Sequence, residues 1–406
     1  MNCVFLGRVI PTELEEDVKN LSVDNMQDAA NALQWHLYDG LCENINEGIH
    51  MINVLPIGSF PQYYKKMFIK QCNFRTKYSD GNVNIGFLNF KFFRNFFYTH
   101  KIVKALSSWC EQSVDNRIVF IYSLFLPFLK AAKEVKKQFH DLKVCAIVAD
   151  LPNMSNLSSR KNILLKLFEK NQTAVTYNSL DCVDGYVLLT KYMADYMKLD
   201  KPFCVVEGIA TEFSACKKEW NADESIKTIL YSGTLHRRFG VLSLLEAFKL
   251  IGDENYRLII CGVGDSENAI KQAAKVDKRI VFKGQLSRNE VLKLQSDATV
   301  LVNPRQNNEV FTKYSFPSKT MEYLSSGTPV VAYKLDGIPD DYDEFINYVP
   351  DNEISTLAGV IIKVCEMPKE KRKLFGDKAQ NFVLMKKNYI AQTKNILDFL
   401  DSAHFI

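Results

Sequence analysis

Residues 316–332 read FPSKTMEYLSSGTPVVA, and this stretch decides how the rest of the chain is interpreted. Its first part, 317–326, repeats apolar residues at helical spacing behind a proline, a residue well suited to the first helical position. A glycine then separates it from 329–332, a short apolar run of the kind found in buried strands. A helix followed directly by a buried strand is the repeating unit of a parallel α/β sheet.

The same alternation continues through the C-terminal half from residue 227 onward. Ser287 and Ser315 precede two of the predicted helices as candidate N-caps. The pattern predicts a doubly wound parallel sheet. The predicted strands are 228–232, 256–261, 279–282, 299–303 and 329–332, and the predicted helices are 241–251, 266–275, 287–296 and 317–326.

The N-terminal half shows a weaker form of this pattern and predicts a second Rossmann-like domain. Its predicted strands are 3–6, 51–55, 118–122, 144–149, 186–189 and 203–206. We place the first domain at 1–208, a polar linker at 209–226 and the second domain at 227–380. A helical pattern over 377–400 indicates that the C-terminal segment, 381–406, is a helix that crosses back to the first domain.

The overall composition excludes several classes of protein. With 47% hydrophobic and 24% charged residues, the 406-residue chain is long enough for two packed domains. Its net charge of +4 is too small to indicate a nucleic-acid binder. The ten cysteines form no C-x-x-C pair, and we expect them to be reduced and buried. We find no signal peptide and no apolar run of about 18 residues, so we expect a cytoplasmic protein.

In an open parallel sheet, ligands bind beyond the carboxyl ends of the strands, where helix N-termini attract phosphates. The turn after 228–232 combines Gly233 with Arg237 and Arg238 and could hold a diphosphate, or its glycines could simply form the turn beside solvated arginines. The next turn contains Gly262 and Gly264 but lacks the third glycine of a dinucleotide fingerprint. It is either a turn beside a nucleotide base or an ordinary turn.

The third turn begins with Arg305 and leads into the helix that carries Lys319 in its first turn. A cation there opposes the helix dipole, and a bound phosphate would resolve that conflict. The alternative is a surface salt bridge between Lys319 and Glu322, which lie three residues apart. Local chemistry leaves both interpretations open.

The stretch FPSK, Glu322-Tyr323 and SGTPVVA at 326–332 resemble the retaining glycosyltransferases of family 4 (glycosyl transferases group 1). That family has the GT-B fold, in which two Rossmann-like doubly wound domains face each other across a cleft. The resemblance covers residues 226 to about 350 well and is faint before residue 144. Further matches are YSGTL at 231–235, LLEAF at 244–248, CGVG at 261–264, VFKG at 281–284, DGYVLLTKYM at 184–193 and VEGI at 206–209.

The resemblance implies transfer of a hexosyl or related sugar from a nucleoside diphosphate sugar, with retained configuration, to a glycan acceptor. Glu322 matches the second glutamate of the family's E-x7-E motif, which contacts the donor ribose. The first glutamate falls at Tyr314, and Glu309 is a nearby carboxylate that could replace it. The family's arginine and lysine for the diphosphate fall at Thr234 and Phe239. The cations available as replacements are Arg237, Arg238, Arg305 and Lys319.

The chemistry implied by this resemblance needs stabilisation of the departing diphosphate. Arg238 and Lys319, with the N–H groups around Ser318 that open the helix, could supply it, so we expect no metal ion and no cofactor. Asp341 and Asp343 form an Asp-x-Asp pair, which we interpret as surface rather than as a metal site. Asp150 ends a predicted strand of the first domain and either orients the acceptor or caps a loop.

Residues 63–104 contain nine Lys or Arg and a single acid, interleaved with aromatic residues. This composition suits an anionic membrane surface or a lipid-diphosphate acceptor. Nucleic acid or a buried helical core are alternatives, and we favour peripheral membrane contact without nucleic-acid binding.

The leading functional hypothesis is extension of a lipid-linked glycan in surface polysaccharide synthesis. The alternative, suggested by Thr234, Phe239 and Tyr314, is a catalytically weak or inactive GT-B partner of a glycosyltransferase complex. A dinucleotide oxidoreductase is disfavoured by the missing glycine.

Overall fold

The chain divides into two compact units, unit 1 (Met1–Glu207 and Tyr389–Ile406) and unit 2 (Gly208–Asn388). The computed structural model describes residues 1–23, 28–46, 48–91, 93–113, 116–151, 171–210 and 225–405. The predicted linker, 209–226, therefore lies mostly outside the described residues.

The described part of unit 1 is built on an eight-stranded sheet with the order β10-β9-β8-β7-β1-β2-β5-β4. Neighbouring strands are parallel except β4 and β5, and β3 and β6 form a separate antiparallel pair. The strands are β1 (Asn2–Gly7), β2 (His50–Asn53), β3 (Phe68–Ile69), β4 (Cys72–Phe74), β5 (Asn82–Asn84), β6 (Phe87–Leu88), β7 (Arg117–Tyr122), β8 (Lys143–Val148), β9 (Gly185–Leu188) and β10 (Phe203–Val205). The helices are α1 (Glu15–Leu21), α2 (Asp28–Ile45), α3 (Arg94–Gln112), α4 (Leu126–Lys136) and α5 (Tyr192–Met197), with a further helical segment at 171–177 and 3-10 turns at Thr12–Leu14 and Leu180–Cys182.

Unit 2 contains a six-stranded parallel sheet with the order β13-β12-β11-β14-β15-β16. Its strands are β11 (Lys227–Ser232), β12 (Tyr256–Cys261), β13 (Ile280–Gly284), β14 (Val300–Asn303), β15 (Val330–Tyr333) and β16 (Asn347–Val349). Its helices are α6 (Val241–Lys249), α7 (Glu267–Val276), α8 (Arg288–Asp297), α9 (Ser318–Ser325), α10 (Ile354–Cys365) and α11 (Lys369–Lys386), with 3-10 turns at Arg237–Phe239, Val310–Tyr314 and Asp340–Phe345.

Helices cover both faces of the unit 2 sheet. Along β11, Ile229 and Tyr231 belong to one buried cluster, whereas Leu230 between them belongs to the cluster on the opposite face. Burial on both faces explains why these strands are continuous apolar runs without alternation of polar residues. Each strand predicted from the sequence is present in the structure, with its ends displaced by at most two residues. The prediction of doubly wound α/β sheets is confirmed.

The C-terminal segment differs from its prediction. The single helix predicted over 377–400 is divided between two helices, because α11 ends at Lys386 and α12 (Tyr389–Ser402) begins three residues later. The carbonyl of Lys387 accepts a hydrogen bond from the N–H of Ala210 at 2.7 Å, so the chain between the helices pairs with another segment. The C-terminal part of unit 1 begins at Tyr389 rather than at residue 381. Within that unit, α12 packs against α2 and β10.

The basic aromatic segment is not the single helix that one interpretation of 63–104 proposed. It contains the short strands β3 to β6, and α3 begins only at Arg94. Its aromatic residues divide by burial. Tyr64, Phe74, Phe87 and Tyr98 are buried, whereas Tyr63, Phe68, Phe90, Phe93 and Phe96 are exposed.

All nine cysteines among the described residues are free thiols, and Cys72 and Cys204 are only partly buried, contrary to expectation. The tenth, Cys216, lies outside the described residues. Of the helices in the described ranges, none has the length and apolar character needed to span a bilayer.

Candidate functional site

The turns that follow β11 and β12 interlock at the carboxyl edge of the unit 2 sheet. The N–H of Gly233 donates to the carbonyl of Cys261 at 2.9 Å, and the N–H of Gly262 donates to the carbonyl of Gly284 at 2.7 Å. Gly262 has φ +135, and a Cβ at this position would collide with the carbonyl of Gly233. A Cβ on Gly264 would lie 2.5 Å from the backbone of Leu235. The close packing of the two turns therefore accounts for Gly262 and Gly264 before any ligand is considered.

Lys319 extends from the first turn of α9 to the turn after β11. Its Nζ lies 4.4 Å from the ring centroid of Tyr231, and a side chain on Gly233 would collide with its ammonium group. Lys319 forms no ion pair with Glu322 within the described structure, so the surface salt bridge considered from the sequence is wrong. Burial lowers the pKa of Lys319 to about 8, and the neighbouring charge of Glu322 opposes that shift.

Arg305 and Arg238 flank one aromatic ring, that of Phe311. Their Cζ atoms lie 4.4 Å and 4.8 Å from its centroid. The Nε atoms of both arginines are buried and have no hydrogen-bond partner. Burial, together with the charge of Arg238, lowers the pKa of Arg305 to about 10. Phe311 was not among the predicted site residues, because an aromatic residue in a polar turn carries no motif.

The prediction that Ser315 caps α9 is wrong. It does not cap α9, which begins at Ser318 after Pro317. Its hydroxyl instead accepts a hydrogen bond from Nη2 of Arg305 at 3.1 Å and lies 3.1 Å from the carbonyl of Phe311, to which it donates. Ser315 thereby helps to fix the arginine.

Arg238, Arg305 and Lys319 share an unusual environment. Electrostatic coupling links Arg305 to both other cations, yet none of the three has a carboxylate partner in the described ranges. Buried guanidinium and ammonium donors are normally paired, because an unpaired buried charge is costly. One buried and two partly buried cations without an anion, at the carboxyl edge of a parallel sheet, form a site suited to a phosphate-bearing ligand.

Glu322 is held at the side of this cationic cluster. Its Oε1 accepts a hydrogen bond from Nε2 of Gln295 at 2.6 Å, and its Oε2 accepts one from Nη1 of Arg288 at 3.4 Å. The Glu322 side chain is still 30% exposed. Nε2 of Gln295 also donates to Oγ of Ser232 at 3.0 Å. The hydroxyl of Tyr323 accepts from the N–H of Ser232 at 2.9 Å. These bonds attach α8 and α9 to the end of β11.

Sequence reasoning missed Gln295, although a fully buried glutamine on the apolar face of a short helix is a signal that could have identified it. Tyr323 lay inside the quoted motif, but its bond to β11 follows only from the fold.

The other predicted residues of unit 2 lie at the rim of this site. Thr234, Arg237, Glu309 and Ser318 are exposed, and Tyr314 is partly buried at the end of its 3-10 turn. The backbone N–H of Arg237 donates a hydrogen bond to Oδ1 of Asp265 at 3.0 Å. The negative charge of Glu309 raises the pKa of Arg305 and so opposes the effect of burial.

The two aspartates of the Asp-x-Asp pair already have cationic partners. Asp341 lies 2.8 Å from Nζ of Lys387, and Asp343 pairs with Lys334. In the ranges that the structure describes, no three His, Cys, Asp or Glu residues are grouped as a metal site requires.

Asp150 belongs to unit 1. It lies two residues after the end of β8, and desolvation raises the pKa of its carboxyl.

Comparisons with known proteins find a family match for part of unit 2. Residues 212–382 match the family Glycosyl transferases group 1. No curated protein matches the chain by sequence.

Solved structures match over nearly the whole chain. A sucrose-phosphate synthase from Thermosynechococcus elongatus has 14% identity, with 100% of this chain and 99% of that one covered at a TM-score of 0.63. A UDP-forming α,α-trehalose-phosphate synthase from Burkholderia xenovorans has 9% identity, with 100% of both chains covered at a TM-score of 0.65. Such low identities establish the fold alone, and that fold is GT-B.

Proposed function

We propose that the protein is a retaining hexosyltransferase similar to those of family 4. The premise is that residues 212–382 form a glycosyl transferases group 1 domain in a chain with the GT-B fold. It takes a sugar from a nucleoside diphosphate and transfers it to a glycan acceptor in surface polysaccharide synthesis. The observation that carries this proposal is the cluster of Arg238, Arg305 and Lys319, whose buried donors lack an anionic partner.

In this proposal the three cations bind the diphosphate, and the exposed side of Glu322 accepts hydrogen bonds from the ribose hydroxyls. The bond between the anomeric carbon and the diphosphate breaks, which places negative charge where Arg238, Arg305 and Lys319 lie. The acceptor hydroxyl attacks from the same face and its proton passes to the departing diphosphate. With three cations in place, the proposed reaction requires neither a metal ion nor another cofactor.

Two carboxylates have proposed supporting roles. Asp150 orients the acceptor hydroxyl, and Glu309, which interacts electrostatically with Arg305, contacts the donor sugar in place of the glutamate that Tyr314 replaces. The UDP-forming relative makes UDP-sugars the first donors to test.

Saturation-transfer NMR with a panel of nucleoside diphosphates tests binding, and hydrolysis of the corresponding sugar nucleotides tests turnover. Lys319→Met should abolish the saturation-transfer NMR signal of the bound nucleotide. Lys275 is an exposed lysine of α7, and Lys275→Met should leave that signal unchanged. If no nucleotide gives a signal with the unaltered protein, the proposed function is wrong. Binding without hydrolysis or transfer favours the alternative of an inactive GT-B partner protein, which is consistent with Thr234, Phe239 and Tyr314.

A second proposal concerns the basic aromatic segment and its membrane. Phe68, Phe93 and Phe96 are 67%, 62% and 73% exposed, and Lys66 and Lys70 are exposed in the same segment. Exposed aromatic rings among lysines fit an anionic bilayer, where rings enter the interface and cations meet headgroups. We place the protein in the cytoplasm at the inner face of the membrane, acting on a lipid-linked acceptor.

Sedimentation with phosphatidylglycerol vesicles at low salt tests this contact. A double variant, Phe93→Ser with Phe96→Ser, should lose sedimentation, and Phe203→Ser, an exposed phenylalanine of β10, serves as the matched control. Equal sedimentation of the two variants would contradict a role for this segment, as would failure of the unaltered protein to sediment.

A further inference from the structure

Unit 1 contains a switch point at which its sheet reverses its direction of growth. Strand β1 pairs with β2 on one side and with β7 on the other, both in parallel. The segments that leave the carboxyl ends of β1 and β7 therefore diverge and leave a crevice, which is where open α/β sheets bind ligands. Arg8 directly follows β1, and Phe125 lies shortly after β7.

The guanidinium of Arg8 forms no hydrogen bond or ion pair with any residue in the described part of the chain. Its Cζ lies 4.4 Å from the ring centroid of Phe125, and its Nε is buried without a hydrogen bond. Burial lowers the pKa of Arg8, and the nearby charge of Arg94 lowers it further. The charges of the two guanidinium groups repel each other, which is unfavourable unless an anion lies near both.

Two tyrosines surround the same group. Tyr122 is the last residue of β7, and Tyr98, from α3, has its ring 5.7 Å from that of Phe125. Both act electrostatically on Arg8. Neither phenol hydroxyl has a hydrogen-bond partner among the described residues. The guanidinium of Arg94 makes one bond, from Nη1 to the carbonyl of Ile57 at 3.3 Å.

The backbone that carries Arg8 is rigid. The N–H of Arg8 donates to Oε1 of Gln34 at 2.7 Å, and the carbonyl of Arg8 accepts from Nε2 of the same residue at 2.9 Å. The next two N–H groups, of Val9 and Ile10, donate to Oδ1 of Asn53 and of Asn31, each at 2.8 Å. These bonds hold the backbone around Arg8 in place, whereas the Nε of its side chain has no hydrogen-bond partner. The guanidinium is therefore preorganised for a ligand.

We propose that Arg8 and Arg94 bind a phosphate group of the acceptor, with the hydroxyls of Tyr98 and Tyr122 as additional donors. A phosphate presents enough acceptor oxygens for two guanidinium groups and two hydroxyls, and arginine matches it in a bidentate geometry. The acceptor role rests on the proposed glycosyltransferase function. The phosphate belongs either to a soluble sugar phosphate or to the diphosphate of a lipid-linked acceptor.

Isothermal titration calorimetry with glucose 6-phosphate, glucose and inorganic phosphate tests the site. The unaltered protein should bind glucose 6-phosphate or inorganic phosphate and should not bind glucose. Arg8→Gln should weaken phosphate binding by about 10-fold to 100-fold, and Arg8→Lys should restore only part of it, because lysine keeps the charge but not the planar fork. Arg75→Gln removes the same charge from an arginine that is 80% exposed and should have no effect.

Detergent micelles carrying a polyprenyl diphosphate form the second arm of the experiment. If they compete with inorganic phosphate at Arg8 and glucose 6-phosphate does not bind, the phosphate is that of a lipid; the reverse result indicates a soluble sugar phosphate. Either result supports the proposal.

Failure of this proposal can be distinguished from failure of the proposed function. Arg8→Gln should bind UDP as the unaltered protein does, which also shows that the variant is folded, and Arg94→Gln provides a second substitution should Arg8→Gln not fold. The inference is wrong if UDP binds but none of the three phosphate ligands binds at Arg8. Those ligands are inorganic phosphate, glucose 6-phosphate and the lipid diphosphate. Equal losses from Arg8→Gln and Arg75→Gln would also overturn it. A phosphate site in a protein that binds no nucleotide would refute the glycosyltransferase instead.

Discussion

Unit 1 and unit 2 end their parallel sheets with similar pairs of side chains. In unit 1, Arg8 lies 4.4 Å over Phe125, and in unit 2, Arg305 lies 4.4 Å over Phe311. Both arginines have a buried Nε without a partner. Each ring covers one face of a guanidinium without satisfying its donors, so the edge of the group stays available to a ligand.

The two units differ in how the surrounding backbone is arranged. In unit 2, glycines allow two turns to pack against each other, and further cations share the site. In unit 1, side-chain amides of Gln34, Asn53 and Asn31 hold a single turn. Close backbone packing requires glycine at fixed positions and so leaves a motif, whereas amide bonds from distant residues leave none. A buried, unpaired guanidinium is therefore a marker of a site that does not depend on a motif.

The largest expected effect is that of Arg305→Met on turnover. Methionine keeps the packing against Phe311 but removes the charge that stabilises the departing diphosphate, so we expect a loss of about 100-fold to 1000-fold in kcat. Hydrolysis of UDP-sugars measures it. Arg8→Met is the matched variant in unit 1 and should leave the Kd of UDP unchanged. Equal loss of UDP binding in both variants would break the separation between the two arginines.

Glu322→Ala should weaken nucleotide binding by about 10-fold to 100-fold, because a charged hydrogen-bond acceptor is lost. Calorimetry with UDP measures the change. The control is 2′,3′-dideoxy-UDP, which lacks the ribose hydroxyls and should bind the variant and the unaltered protein equally. If the substitution costs the same affinity with both nucleotides, Glu322 does not contact the ribose.

The sequence predicted most strands of both units, because each of these is a short apolar run bounded by turn residues. It missed β3 to β6 and β16, which are only two or three residues long. It also singled out Arg238 and Arg305 from the turns at strand ends, and Lys319 and Glu322 from the family motif; their role in binding a ligand stays a prediction. It could not identify Arg8, whose chemistry depends on Phe125 and Arg94 from segments far along the chain. The break between α11 and α12 was missed for the same reason, since it depends on a bond from Ala210 to Lys387.

Lys319→Met should stabilise the ligand-free protein while it removes nucleotide binding. The pKa of Lys319 in the folded protein, about 8, lies below its ordinary value of 10.5. Between these values the unfolded chain binds more protons than the folded one, so the stability of the unaltered protein rises with pH across this window. At neutral pH the variant should therefore be more stable by about 1–2 kcal/mol.

Denaturant unfolding at neutral pH and near the ordinary lysine pKa measures this difference, which should disappear at the higher pH. Lys275→Met, an exposed lysine of the same unit, should show no pH-dependent change. A variant that is less stable than the unaltered protein at neutral pH would show that Lys319 is satisfied within the fold rather than reserved for a ligand.

The smallest expected effects are those of the two phenylalanines, and they sharpen the comparison most directly. Phe311→Leu keeps an apolar side chain but removes the ring beneath Arg305, so UDP should bind about 2-fold to 10-fold more weakly, as loss of a cation–π contact predicts. Phe125→Leu should leave the Kd of UDP unchanged and weaken inorganic phosphate binding by a similar factor. Calorimetry of both ligands on both variants gives four values. If each substitution weakens only the ligand of its own unit, the two arginines serve separate sites, whereas loss of UDP binding in both variants would make Arg8 part of the nucleotide site.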